Sequence, residues 1–115
     1  HAPYNQYIFN EIVNDNVSDI ELEEMKKSTK MKATEFLNEL MTRYNFDVFV
    51  SVDNSMAGIA AAAHFPALSV PMGYRKSGEP SNITFITSSN NEQLLYNVAI
   101  YLKKILRGLL VENIV

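Results

Sequence analysis

The chain has no cysteine. That excludes a disulfide framework, a zinc–thiolate site and a cysteine nucleophile. It also suits a reducing compartment, and the expected location is cytoplasmic. Histidine is nearly as scarce. His1 and His64 are the two present, and one internal imidazole without a His-Glu pattern cannot build a metal cluster. No basic segment leads into an apolar one, so no signal peptide is expected. The longest apolar run, Met56 to Ala63, is too short to span a bilayer. The net charge of −3 comes without a basic cluster, which argues against nucleic acid or an anionic membrane as partner. Gly73 and Gly78 are too sparse for a phosphate-cradling loop and read as turn glycines.

What is present is ordinary. The 115 residues are 47% hydrophobic and 20% charged, which fits one domain able to bury a core without metal or disulfide help. Residues 1–47 carry a net charge of −4 and residues 48–115 a net of +1. The first part reads as solvated helix and the second as buried sheet. The chain begins at His1 without an initiator methionine. It is therefore expected to be a processed or excised product, with His1 and Ala2 set aside as tag remnants.

Residues 3–16 read as an irregular or briefly helical lead-in. Ser18 and Glu21 have capping-box spacing. After them Leu22, Met25, Phe36, Leu37, Leu40, Met41 and Tyr44 recur at helical intervals, up to an end at Tyr44–Asn45. Asp47–Val52 reads as a buried strand. Met56–His64 reads as a small-residue helix lying inside the structure, capped by Asp53, Asn54 or Ser55 and stopped by Phe65–Pro66. Ala67–Met72 is a second strand, with Pro71 at its end or edge. A turn-rich loop over Gly73–Asn82 leads to a third strand, Ile83–Thr87. Ser89 with Glu92 repeats the capping-box spacing. Leu94, Leu95, Val98, Leu102, Ile105, Leu106 and Leu109 then line one face of a final helix. The expected fold class is α/β: a small mixed sheet of about three strands flanked by helices. So few strands for so much apolar helix imply that sheet edges and helix faces meet more protein.

No self-contained active site is visible. None of the serines sits in a G-x-S-x-G elbow. His64 is expected to cap the short helix, its imidazole meeting the negative helix end. Asp53 reads equally as a functional carboxylate or a helix cap. Met56 and Met72 read as core filler. Ser51 and Ser69 read as small buried hydroxyls bonded to backbone.

The stretch from Asp47 to Leu102 resembles the end of amidase-signature enzymes. The resemblance lies in DVFVSV, the small-residue helix through Ala63, FPALSVPMGY, the loop pair Gly78 and Pro80, ITFIT, and NNEQLLYNVAIYL; the upstream PYNQYIFNE is also similar. There are departures. Val52 stands where many members have proline, His64 where a glycine is usual, and Ser81–Asn82 replaces a glycine after the Gly-x-Pro step. The resemblance implies a partial amidase-signature fold, with residues 1–16 as lead-in and residues 17–115 as the C-terminal portion of an amidase-like domain. It implies serine acyl transfer on a small amide substrate in the parent, by a serine, a second serine and a lysine in an upstream segment. No residue here matches those groups, so this chain is expected to hold no catalytic residue, metal or cofactor and to be inactive alone. By the same resemblance Asp53, Asn54, Ser55 and Gly58 are the substrate-pocket wall. The expected partner is the rest of the parent chain or a self-associated copy. The competing reading is a non-catalytic binding module that reuses the half-fold.

Overall fold

The structure is a computed structural model that describes residues 5–114, with side chains for residues 5–108. His1 and Ala2, the start of the lead-in, and the side chain of Leu109 lie outside the described residues. The elements run α1 (Tyr7–Val13), α2 (Asp19–Tyr44), β1 (Phe49–Val52), α3 (Ala57–Ala63), β2 (Ala67–Tyr74), β3 (Pro80–Ile86) and α4 (Glu92–Ile114).

Local chemistry explains most of these boundaries. At the start of α2 the Glu21 amide donates to Ser18 Oγ at 3.3 Å, and the Ser18 amide donates to the Glu21 carboxylate at 3.0 Å. The expected capping box is therefore present, satisfying two otherwise orphaned donors. The helix closes on Asn45, which takes the left-handed conformation at φ 51°, a region where asparagine is enriched. His64 ends α3 in the same way, at φ 57°. It caps through its backbone amide, which reaches Ala60 and Ala61 carbonyls, and not through the expected imidazole. The second expected box does not form: Ser89 Oγ donates instead to the His64 carbonyl at 3.1 Å.

The sheet has the order β1-β3-β2, and both pairings are antiparallel. The α/β layering is as expected, but the sheet is antiparallel throughout where a mixed one was expected. The reason is topological. α3 carries the chain over one strand position, so β1 and β2 point the same way, and the hairpin return of β3 fills the gap between them. The hairpin is longer than the sequence suggested. Gly73 pairs with Ser81 and Tyr74 with Pro80 across a bulge between Pro71 and Gly73, leaving a short connection at Arg75–Glu79. Pro71 lies on an edge strand beside the bulge, where a missing N–H does least damage.

Two apolar clusters cover the two sheet faces. On one, Leu37, Ala60, Ala63, Phe65 and Ile86 are buried, with Ala33 and Met41 of α2 packed alongside. On the other, Val70 and Phe85 meet Leu95 and Ala99 of α4. Outside these clusters the molecule is open. Leu37 is the one buried residue of α2, and α1 has none. Phe36, Tyr44, Leu22 and Met25, which recur at helical spacing along α2, are exposed. β1 was expected to be buried; it is an edge strand, with Val50 and Val52 each 60% exposed. Met72, expected as filler, is exposed as well.

Candidate functional site

The four residues singled out as pocket wall lie together in the turn between β1 and α3 and in the first turn of α3. Asp53 follows the last residue of β1 and adopts φ 52°, which aspartate tolerates better than most residues. This turns the chain out of the sheet. Its amide donates to the Asn82 carbonyl at 2.9 Å. Its carbonyl accepts from Thr84 Oγ1 at 2.6 Å. Its Oδ1 accepts from the Asn82 amide at 2.9 Å and from Ser81 Oγ at 3.4 Å. Its Oδ2 forms an ion pair with Arg75. Thus Asp53 is neither the N-cap of α3 nor a free carboxylate. It is a latch that fastens the β1–α3 turn to the β2–β3 hairpin. The cap position of α3 falls instead on Met56, which makes no side-chain cap bond.

The latch partners Arg75, Ser81, Asn82 and Thr84 were not singled out by sequence. They stand 22 to 31 residues away in the chain, and no local pattern links them to Asp53. Arg75 is itself held by the hairpin turn: its amide donates to the Glu79 carbonyl at 2.8 Å, and Glu79 lies 3.9 Å from its guanidinium.

Asn54, Ser55 and Gly58 are exposed on the outer side of this turn. Ser55 donates its amide to the Val52 carbonyl at 3.3 Å, and the Asn54 carbonyl accepts from Ala57 at 2.9 Å. Their side chains are free of these bonds. A methyl group built on Gly58 would meet nothing within 4 Å. Ala57 and Ala61 are exposed on the same helix while Ala60 and Ala63 are buried. α3 was expected to lie wholly inside; instead one face is covered and the small-residue face is open. The site is therefore a polar, backbone-rich rim with room in front of it.

Hydroxyl groups line the sheet beneath the rim. Ser51, Thr84 and Ser69 occupy one row across the three strands. Ser69 and Thr84 share a hydrogen bond of 2.6 Å, and Ser69 is exposed, so it is not the expected buried hydroxyl bonded to backbone. Ser51 is buried and its hydroxyl has no partner. A groove of about 870 Å³ lies elsewhere, at the α1–α2 junction, lined by Asp15, Glu21, Glu24 and Met25 among others; none of the four rim residues lines it. Among the described residues no group of His, Cys, Asp or Glu could hold a metal. No helix among them is long and apolar enough to cross a membrane.

No family model and no curated protein matches the chain. A solved structure is similar: the crystal structure of an amidase family protein from Bacillus anthracis str. Ames. It matches 85% of this chain at 26% sequence identity with a TM-score of 0.74. The chain spans 19% of the length of that protein.

Proposed function

We propose that this chain is the C-terminal portion of an amide hydrolase of the amidase-signature kind. In this reading it supplies scaffold and one wall of the substrate pocket to an enzyme whose bond-breaking groups lie elsewhere in a longer polypeptide. The observation that carries the reading is the match to an amidase family protein over 85% of this chain and only 19% of that one. The motifs FPALSVPMGY and SGEPSNITF supply β2, the hairpin turn and β3, which supports a shared scaffold.

In the parent, a serine attacks the amide carbonyl, an acyl-enzyme forms and water releases the acid. The rim of Asp53, Asn54, Ser55 and Gly58 contributes contacts and shape to that pocket. Asp53 acts there by holding the turn, since its carboxylate is taken up by Arg75, Ser81 and Asn82. A cytoplasmic setting accords with the absence of cysteine. The test is an assay of this chain and of the full gene product on simple amides. Turnover by the full product with none by this chain is expected. Turnover by this chain alone would show that the reacting groups had been misplaced.

A further inference from the structure

Three hydroxyl residues stand abreast across the sheet, Ser51, Thr84 and Ser69. Thr84 is two residues from Ile86, so the row lies on the sheet face that packs against α3. Its members are not equivalent. Ser51 and Thr84 are 8% and 4% exposed, whereas Ser69 is open to solvent. Ser69 is thus the hydroxyl of the row that can meet a molecule outside the fold. It is also tied to the rim. Its Oγ lies 2.6 Å from Thr84 Oγ1, and Thr84 Oγ1 lies 2.6 Å from the Asp53 carbonyl oxygen. No more than two hydrogen-bond lengths separate Ser69 from the backbone on which Asn54 and Ser55 follow.

The protons along these two contacts can be assigned. A carbonyl oxygen only accepts, so the one hydroxyl proton of Thr84 goes to Asp53. Thr84 Oγ1 then has only lone pairs left. Its short contact with Ser69 Oγ therefore takes the Ser69 proton. A serine hydroxyl has a single proton, and this one is committed inward. Toward the open side Ser69 presents lone pairs alone. A hydroxyl that could donate or accept in isolation is fixed by its neighbours as an acceptor. An N–H group bonds there; a carbonyl, an ether or a carboxylate meets lone pairs with lone pairs. The Asp53 carboxylate is already engaged by Arg75, Asn82 and Ser81, so the acceptor on offer is a neutral one.

We propose that Ser69 is a further specificity-determining residue of the substrate pocket, and that it selects amides presenting a neutral N–H donor. The proposal rests on the amide-hydrolase reading and adds to it a residue outside the rim of Asp53, Asn54, Ser55 and Gly58. Ser69 sits on β2, 14 to 15 residues beyond Asn54 and Ser55 in the chain, and reaches the rim only through Thr84. A substrate that loses its N–H leaves the Ser69 lone pairs unmatched and puts a methyl group against them. A site built for a hydrogen bond discriminates in this way against the analogue that cannot make it.

Kinetics of the full gene product test this, with two pairs of substrates that differ by one N–H replaced by N–CH3. N-acetylglycinamide and N-acetylsarcosinamide vary the acyl side; acetanilide and N-methylacetanilide vary the amide nitrogen. The quantity read is the ratio of kcat/KM within each pair, which cancels a loss common to both members. Ser69→Ala should reduce the preference for the N–H substrate about tenfold in at least one pair. Ser69→Thr, which keeps the hydroxyl on a strand position that suits threonine, should retain it. A purely structural Ser69 would lower both members together. Ratios unchanged by Ser69→Ala in both pairs, or lost equally in Ser69→Thr, would overturn the proposal and leave the hydrolase reading standing. No turnover of any of the four amides by the full product would overturn the hydrolase reading, and the proposal with it.

Discussion

Asp53 is held by an ion pair and by backbone hydrogen bonds, and the two are not worth the same. Arg75 and Asp53 side chains are 49% and 31% exposed, so solvent screens their attraction and the pair is worth about 0–1 kcal/mol. The bonds from the Asn82 amide and to the left-handed backbone of Asp53 are less replaceable. Asp53→Ala is expected to cost about 2 kcal/mol, from an orphaned donor plus left-handed strain, while Arg75→Ala costs less than about 1 kcal/mol. Urea denaturation of the two variants checks this, and equal losses would mean that the ion pair dominates. Gly58 gives a prediction of opposite sign. It sits in a helix with open space where a Cβ would go, so Gly58→Ala should stabilise this chain by about 0.5–1 kcal/mol. In the longer enzyme the same methyl would enter the proposed pocket and lower activity on bulky amides. A stability gain with unchanged activity would remove Gly58 from the wall.

At the scale of elements, α2 owes its start to two residues and its attachment to one. Hydrogen bonds from Ser18 hold the Glu21 carboxyl below its ordinary value of 4.5. A depressed folded pKa contributes stability above the unfolded value and loses it as pH falls through the folded one. The first turn of α2 should therefore weaken as pH drops below 4.5. Circular dichroism should show that Glu21→Gln removes this acid-dependent loss of helix. The capping box was legible because its chemistry lies within four consecutive residues. The packed face was not. Apolar residues recur along α2 at helical spacing, yet Ala33, Leu37 and Met41 meet the core while Phe36 and Tyr44 face solvent. Periodicity offers more than one stripe, and only the position of α3 and β1 selects between them.

At the scale of the whole molecule, the radius of gyration of 18.8 Å compares with about 13 Å for a compact domain of this length. The molecule is anchored at few points, so mutations should divide sharply. Leu37→Ala, at a fully buried joint between α2 and the sheet, should cost about 2–5 kcal/mol. Removing residues 1–16, whose helix α1 buries nothing, should leave the denaturation midpoint within about 0.5 kcal/mol of the intact chain. A large loss on that deletion would mean that α1 is packed in solution, against the described fold.

The sequence by itself determined the capping box and the asparagine end of α2 and the order of elements from α2 onward. Each of these depends on neighbours in the chain or on residue types that are present or missing. Only the tertiary structure decided that Asp53 is a latch, that β1 is an open edge with an unpartnered serine, and that the sheet is antiparallel throughout. These depend on which distant segment lies alongside. Local propensity is blind to that choice because burial and strand pairing are fixed by contacts made across the fold.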